Sequence, residues 1–126
     1  MSESKKILVV DDEAPIRRII ELKLKSRGYD VLSATNGEDG LRLIKSEKPD
    51  VVILDINMPR LSGRQLCEMT DSMKKERSFL TIIMTARILH EERQWIGEMH
   101  DTLFMEKPFS PTRLLESIDR YCGVQR

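Results

Sequence analysis

Three aspartates in this sequence stand where carboxylates can act together. Asp11 and Asp12 follow the apolar run Ile7–Val10, and Asp55 follows the apolar run Val51–Leu54. Both runs have the length and composition of buried strands, and open α/β sheets hold their active sites at the carboxyl ends of strands. Clustered carboxylates repel one another unless a cation joins them, and Mg²⁺ prefers hard oxygen ligands. The pattern therefore predicts a magnesium site in which one carboxylate can also be a nucleophile.

Thr85 and Lys107 follow two further runs, Leu80–Met84 and Leu103–Met105. Taken singly, each of these polar residues has a simpler explanation. An aspartate between a strand and a helix often caps the helix, a threonine can merely leave the sheet, and a loop lysine usually faces solvent. Taken together, acids, a hydroxyl and a cation at the ends of four strands are the groups that phosphoryl transfer requires.

Five short apolar runs alternate with five segments of helical periodicity. The runs are Ile7–Val10, Val31–Ala34, Val51–Leu54, Leu80–Met84 and Leu103–Met105, and the helical segments are Asp12–Arg27, Glu38–Glu47, Arg64–Lys75, Ile88–Met99 and Pro111–Cys122. This (βα)5 alternation predicts a three-layer, doubly wound α/β fold around a five-stranded parallel sheet. The pattern leaves the strand order open, and we expect the flavodoxin-like order 2-1-3-4-5 because it is common for five strands.

The composition is that of a globular domain. The chain has 126 residues, 40% hydrophobic and 33% charged, so we expect one domain over residues 1–126 with a core of about residues 6–121. Its 21 basic and 21 acidic residues balance, which argues against direct nucleic-acid binding. Cys67 and Cys122 match no metal-binding spacing, and we expect reduced thiols. The sequence shows neither a signal peptide nor an apolar stretch of membrane-spanning length, so we expect a cytoplasmic protein.

Four short motifs occur in order along nearly the whole chain. They are Asp11-Asp12, then Asp55-Ile56-Asn57-Met58-Pro59 with Gly63, then Met84-Thr85-Ala86, and finally Lys107-Pro108-Phe109. Each motif alone is a weak signal, but all four at these spacings are specific. From about Lys6 to Tyr121, the sequence resembles a CheY-like receiver domain of two-component response regulators.

The resemblance implies a role for each acidic residue. Asp55 would be the phosphoacceptor, which takes a phosphoryl group from a sensor histidine kinase or a phosphotransfer protein. Asp12 and Asp55 would ligate Mg²⁺ through their side chains, and Asn57 through its backbone carbonyl. Asp11 would contact the ion mainly through water. The domain would assist its own phosphorylation and dephosphorylation without being an enzyme that turns over a separate substrate.

The resemblance also implies a switch. Thr85 would donate its hydroxyl to the phosphoryl group, and Lys107 would pair with a phosphoryl oxygen before a cis bond to Pro108. Phe104 occupies the position of the family's switch aromatic, and it would turn inward when Thr85 moves. We expect the fourth helix, fifth strand and fifth helix to form the altered face. We also expect Asn57 and Arg87 to tune the lifetime of the acyl phosphate.

Partners and rival functions follow from the same resemblance. The altered face would contact a downstream protein or an output domain, without a membrane, and a phosphorylation-dependent homodimer stays open. One rival is a small Mg²⁺-dependent phosphatase with an aspartate nucleophile, although such enzymes normally carry a cap domain. Another is a dormant, receiver-like domain with a purely structural role. A flavodoxin is less favoured because the first loop is acidic and does not suit phosphate.

Several smaller expectations concern packing. We expect Ile19 on the buried face of the first helix, Met69 as core filling, and Lys74–Arg77 as a solvated loop. The sequence does not decide whether Trp95 is a core residue or an exposed binding anchor. The turn His100-Asp101-Thr102 departs from the small Gly-Ala-Asp run usual in receivers, so we expect it to be reshaped.

Overall fold

A computed structural model describes residues 4–86 and 88–124. Five strands alternate with five α-helices: β1 (Lys6–Val10), α1 (Ala14–Ser26), β2 (Asp30–Ala34), α2 (Gly37–Glu47), β3 (Val51–Asp55), α3 (Gly63–Asp71), β4 (Leu80–Thr85), α4 (His90–Glu98), β5 (Thr102–Glu106) and α5 (Pro111–Cys122), with a 3₁₀ helix at Ser72–Lys75 after α3. Within these ranges, no helix combines the length and apolar character needed to cross a membrane.

The sheet confirms the predicted topology. Its strands lie in the order β2-β1-β3-β4-β5, and every neighbouring pair is parallel. The central strands β1, β3 and β4 are almost completely buried, as continuous apolar strands covered on both faces should be. Parallel strands place their carboxyl ends at one edge of the sheet, and this edge holds the candidate site.

Two hydrophobic cores flank the sheet because successive strand residues point to opposite faces. Ile7 and Val9 face one core, and Leu8 and Val10 face the other. The first core is closed by α1 and α5 through Ile20, Leu24, Leu114, Leu115 and Ile118. The second is closed by α2, α3 and α4 through Ile44, Leu66, Cys67, Trp95 and Ile96. The three predicted layers are therefore present, and Trp95 is a core residue.

The first helix begins later than its periodicity predicted. It starts at Ala14, after Glu13 as an extended N-cap whose side chain makes no capping hydrogen bond. Asp11 and Asp12 therefore lie outside the helix, which removes the capping explanation for this acidic pair. By contrast, the Ser62 hydroxyl accepts from the Gln65 backbone N–H in a reciprocal capping box at the start of α3.

Two residues expected in the core are about half exposed. In α3 the buried positions are Gly63, Leu66, Cys67 and Thr70, so Met69 falls on the outer side of the helix. In α1 the buried stripe runs through Ile20 and Leu24, which leaves Ile19 at its edge. Both expectations were wrong because a helix that packs on one side buries only a limited stripe, and Met69 and Ile19 lie at its edge or beyond it.

The segment Lys74–Arg77 is not simply a solvated loop. Lys74 is buried in the 3₁₀ helix, where its ammonium donates to the carbonyls of His100 and Asp101 and to the Thr102 hydroxyl. Burial lowers the pKa of Lys74, opposed by nearby Cys67, Asp71 and Asp101. In this turn the lysine is bound to the backbone, and Asp101 is left-handed at φ 43°.

Candidate functional site

The ends of four adjacent strands bring the candidate residues to one edge of the sheet. Asp55 is the last residue of β3 and Thr85 the last residue of β4. Asp11 follows β1 directly, and Lys107 follows β5 directly. The Lys107 backbone N–H donates to the Thr85 carbonyl at 2.7 Å, so the ends of β4 and β5 are held together. The bond between Lys107 and Pro108 is cis, as expected.

Asp11 is the most deeply buried carboxylate of the site, with no exposed surface. Its Oδ1 accepts from the Glu13 backbone N–H at 2.9 Å, and its carbonyl accepts from the Arg17 guanidinium at 2.9 Å. Its Oδ2 has no hydrogen-bond partner. Burial raises the pKa of Asp11; the Glu13 N–H and the Lys107 charge oppose this rise, and the Asp55 and Glu13 charges add to it.

Asp55 and Lys107 form the closest ion pair of the site. The Lys107 ammonium donates to Asp55 Oδ2 at 2.8 Å, and Asp55 Oδ1 accepts from the Asn57 backbone N–H at 3.1 Å. The Lys107 side chain is only 13% exposed, and its ammonium is also 3.6 Å from Asp11 Oδ2. Burial by itself would lower the pKa of Lys107, but the Asp55 hydrogen bond and the neighbouring carboxylates raise it. Lys107 is therefore held charged among acids.

Glu13 is a member of the site that the sequence reasoning missed. Its Oε1 lies 3.3 Å from the Lys107 ammonium. Oxygens of Asp11, Asp12, Glu13 and Asp55 all lie within 4.8 Å of one another. Its position directly after the aspartate pair was the available signal.

The four carboxylates fit a hard divalent cation. They offer an all-oxygen donor set, and one buried oxygen, Asp11 Oδ2, accepts no hydrogen bond, with the Lys107 ammonium 3.6 Å away. A buried carboxylate oxygen without a partner is destabilising, and a cation at the cluster would satisfy it. Mg²⁺ suits the set because it takes a few carboxylates and keeps several waters. Asp12 and Glu13 are exposed, which leaves the cluster open to solvent on one side.

Gly63 fixes the loop that carries Asn57 close to Asp55. The Gly63 N–H donates to the Ile56 carbonyl at 2.8 Å. A Cβ at position 63 would overlap the Asp55 carbonyl oxygen and lie 2.7 Å from the Ile56 Cα. Only glycine therefore allows α3 to start so close to the end of β3. Asn57 itself is exposed beside the acidic cluster.

Phe104 lies on the same sheet face as Thr85. It pairs in register with Ile83 on β4, two residues before Thr85, and residues two apart share a face. The ring is partly buried against the core closed by α2, α3 and α4. The Arg93 guanidinium of α4 lies 5.0 Å from the ring centroid, within the range of a cation–π contact. Phe104 thus connects the site edge to the surface of α4.

The sequence and the fold of this chain are similar to those of known proteins. The family model described as "Response regulator receiver domain" matches residues 7–119. The chain belongs to this family. It is 42% identical over 112 residues to the probable transcriptional regulator ycf27 of Porphyridium aerugineum, covering 89% of this chain and 45% of that protein. It is 37% identical over 109 residues to the alkaline phosphatase synthesis transcriptional regulatory protein PhoP of Bacillus subtilis (strain 168), covering 86% and 44%.

Solved receiver structures share the fold. A CheY-like response regulator receiver domain protein from Methanospirillum hungatei JF-1 has a TM-score of 0.87 at 27% identity, covering 96% of this chain and 95% of that one. The chemotaxis response regulator CheY4 of Vibrio cholerae has a TM-score of 0.83 at 28% identity, covering 94% and 99%. This receiver domain therefore spans nearly the whole length of those structures, and about 45% of the length of the curated relatives.

A second residue that the sequence reasoning missed links β5 of the receiver domain to α4. Glu106 precedes Lys107 and pairs in register with Thr85. Its Oε1 accepts from the Ile88 backbone N–H at 3.2 Å, in the connection that leads from β4 into α4. No motif marks such a contact, because it depends on two loops meeting. Arg87, which we expected to tune the acyl phosphate, lies outside the described residues.

Proposed function

We propose that this receiver domain accepts a phosphoryl group on Asp55 in a Mg²⁺-dependent reaction. The observation that carries the proposal is the pairing of Asp55 with the Lys107 ammonium at 2.8 Å, inside a cluster of carboxylates at the ends of β1 and β3. Asp55 is the acceptor in this proposal because it alone among these acids is the last residue of a central strand, and because its contact with Lys107 is the shortest. Phosphoryl transfer needs positioning and charge neutralisation, and this arrangement supplies both.

The donor in this proposal is a phosphohistidine of a sensor histidine kinase or phosphotransfer protein. A carboxylate oxygen of Asp55 forms the new O–P bond while the N–P bond breaks, and the departing imidazole nitrogen keeps the electron pair and takes up a proton. Mg²⁺, held by Asp12, Asp55, the Asn57 carbonyl and through water by Asp11, would neutralise charge on the phosphoryl oxygens. Lys107 pairs with one of these oxygens, and the Thr85 hydroxyl donates to another.

The outer face of α1 is the proposed docking site for the phosphodonor. Ile19 and Leu22 are 48% and 69% exposed on the helix that begins beside the acidic cluster. Large apolar side chains this exposed on adjacent helical turns are typical of a protein contact. A partner seated on them would hold its phosphohistidine near Asp55.

The same site would return the domain to its resting state. Water would hydrolyse the acyl phosphate and release inorganic phosphate from Asp55. We therefore propose a phosphoacceptor in the cytoplasm that turns over no separate substrate. It would act as one domain over residues 1–126 with a core of about residues 6–121.

Phosphorylation would shift the domain between two packings. Thr85 moves toward the phosphoryl group, and Phe104 fills the space that it leaves. Because Arg93 lies over Phe104 and Glu106 holds Ile88, the movement alters the face formed by α4, β5 and α5. That face would contact an output domain, a downstream protein or a second copy of the chain, and the domain itself would not bind nucleic acid. A near-complete switch requires a differential stabilisation of about 5 kcal/mol.

Incubation with acetyl phosphate and Mg²⁺ tests the proposed chemistry. Intact-mass measurement should show one base-labile gain of about 80 Da, which is the mass of one added phosphoryl unit. Chelation of Mg²⁺ with EDTA should prevent the gain. An unchanged mass in the presence of Mg²⁺, with the fold verified by circular dichroism, would support a dormant domain. Continuous release of alcohol from phosphate esters would support a phosphatase.

Nuclear magnetic resonance tests the proposed switch. Addition of beryllofluoride and Mg²⁺, which mimic the phosphoryl group, should shift the backbone amides of α4, β5 and α5 in addition to those near Asp55. The amides of β2 and of the C-terminal half of α1 serve as internal controls, because they lie away from Thr85 and Phe104. Shifts confined to the immediate neighbours of Asp55 would contradict a switch that works through Phe104.

A further inference from the structure

A second cleft lies at the opposite edge of the sheet from Asp55. It is formed by the end of α2, the segment before β3 and the segment before β4, and its volume is about 270 Å³. Its lining residues are Ile44, Lys45, Lys48, Pro49, Met73, Glu76, Arg77 and Phe79. We call this cleft the basal groove. None of these residues takes part in the phosphoryl chemistry proposed for Asp55.

The basal groove combines an apolar floor with a basic rim. Ile44 and Phe79 are buried core residues, and Met73 packs beside them. A smaller cleft of about 220 Å³ adjoins it, since Lys48 and Arg77 line both. The two clefts together contain five basic residues, Lys5, Lys6, Lys45, Lys48 and Arg77, and three acidic residues, Glu47, Asp50 and Glu76. The lining of the two clefts is therefore net positive in a chain whose formal net charge is zero.

The cations of this edge are not equally neutralised. Arg77 pairs with Asp50 at 2.9 Å, and Lys6 pairs with Glu47 at 3.5 Å. Lys45 and Lys48 form no ion pair with a carboxylate in the described parts of the chain, and both are exposed. The free positive charge is thus concentrated on the α2 side of the groove.

Lys48 occupies a backbone position at which lysine is unusual. It is the C-cap of α2 in a left-handed conformation, with φ 48° and ψ 62°. Glycine or asparagine is the usual residue at such a position, because a Cβ is strained there. Lys45 has an ordinary explanation, since a cation in the last turn of a helix stabilises its dipole. Lys48 lies at the same end of the dipole, but it also carries the left-handed strain, and it lines both clefts.

We infer that the basal groove binds a short acidic segment of a partner protein, with one bulky apolar side chain over Ile44, Met73 and Phe79 and carboxylates against Lys45 and Lys48. Charge complementarity favours this occupant. The apolar floor does as well, because Ile44, Met73 and Phe79 offer a surface for one bulky apolar side chain. The binding is independent of phosphorylation at Asp55, which lies at the other edge of the sheet.

Fluorescence anisotropy with a labelled synthetic peptide tests this inference. The probe carries one phenylalanine flanked on both sides by aspartates and glutamates. At about 50 mM salt, Lys48→Gly and Lys45→Gln should each weaken binding roughly two- to fivefold, the range for one exposed charge pair. Replacing the peptide's phenylalanine with alanine should weaken binding about tenfold or more. The amide resonances of Ile44, Met73 and Phe79 should shift on binding.

The variants separate binding from folding. Lys48→Gly removes the charge and relieves the left-handed strain, so its melting temperature should be equal to or above that of the parent. Lys23→Gln is the matched control, because Lys23 is an exposed lysine of α1 on the other side of the sheet. If Lys23→Gln weakened peptide binding as much as the groove variants do, or if the alanine peptide bound as tightly as the phenylalanine peptide, general charge attraction would explain the binding. Either result would overturn the inference. Sedimentation that shows a dimer lost in Lys48→Gly would assign the groove to a second copy of the chain.

Discussion

Asp55→Asn should show no mass gain with acetyl phosphate and Mg²⁺ under conditions in which the parent gains about 80 Da. An amide oxygen is not a usable nucleophile, whereas the parent side chain offers a carboxylate oxygen that accepts from the Lys107 ammonium at 2.8 Å. The substitution keeps the size of the side chain and an oxygen that can accept from the Asn57 N–H. Lys107 retains carboxylates of Asp11 and Glu13 within 4.0 Å, so the variant should fold. Loss of phosphorylation would then report on chemistry.

Asp30→Asn is the matched control for this experiment. Asp30 is an exposed aspartate at the start of edge strand β2, at the other edge of the sheet from the site. It should gain the phosphoryl group at the rate of the parent. A base-labile gain of about 80 Da in Asp55→Asn would contradict the assignment. Peptide mapping after reductive trapping would then show whether Asp12 or Glu13 is the acceptor.

The sequence was sufficient to predict the arrangement of the strand ends. Continuous apolar runs identified the buried strands, and polar residues at or just beyond the end of the runs placed Asp11, Asp55 and Lys107 at one edge. This inference needs only the parallel geometry of the sheet, which fixes where every strand ends. The strand order itself rested on what is common for five strands, and the observed pairing confirms it.

Contacts between loops were not predictable in the same way. Glu13, Lys74 and Glu106 are charged residues in polar segments, and such segments are usually solvated. Glu13 contacts Lys107, Lys74 contacts the turn at His100, and Glu106 contacts Ile88. In each case the partner is at least 18 positions away in the sequence. Hydrophobic periodicity carries no information about such contacts. Prediction from apolar composition also failed for Met69 and Ile19, which are about half exposed. Composition alone does not determine which apolar residues a helix buries.

Contacts at both ends and in the middle of α4 hold this helix against the sheet. The start of α4 is held by Glu106, and the turn after α4 is held by Lys74 and by Asp71, which accepts from the His100 backbone N–H at 2.8 Å. The middle of α4 packs through Trp95, with the Arg64 guanidinium 5.6 Å from its ring centroid. Of these contacts, only that of Glu106 adjoins Thr85 and Lys107. Movement of α4 on phosphorylation should therefore begin at its N-terminal end.

Asp11→Asn should make the Mg²⁺-free protein more stable and the Mg²⁺ complex weaker. Asp11 is fully buried, its Oδ2 accepts no hydrogen bond, and the Lys107 ammonium is 3.6 Å away, so burial of the ionised carboxylate opposes folding when no metal ion is bound. We expect the variant to gain about 1–2 kcal/mol in the free energy of unfolding near neutral pH. Its Mg²⁺ affinity should fall about 10- to 100-fold, as is typical when a group that orients metal ligands is lost.

The pH dependence distinguishes this explanation from a simple packing change. Because the pKa of Asp11 is raised in the folded protein, the folded state binds a proton more readily than the unfolded state. The contribution of protonated Asp11 to the free energy of unfolding is fully present below the ordinary aspartate pKa. It is lost as the pH rises through the raised pKa of Asp11 in the folded protein. Without Mg²⁺, the advantage of Asp11→Asn over the parent should therefore grow with rising pH across that window. Urea unfolding in EDTA at a series of pH values measures it.

Added Mg²⁺ should then reverse the order of stability. A ligand that binds only the folded state stabilises it by an amount that grows with the ratio of its concentration to its dissociation constant, about 2.7 kcal/mol at a ratio of about 100. The parent gains more from this effect than Asp11→Asn because it binds the ion more tightly. Asp12→Asn separates the two contributions: Asp12 is exposed, so its loss should weaken Mg²⁺ binding without a comparable gain in Mg²⁺-free stability. If Asp11→Asn lowers Mg²⁺-free stability, or leaves Mg²⁺ affinity unchanged, then the buried carboxylate is not held in place for a cation.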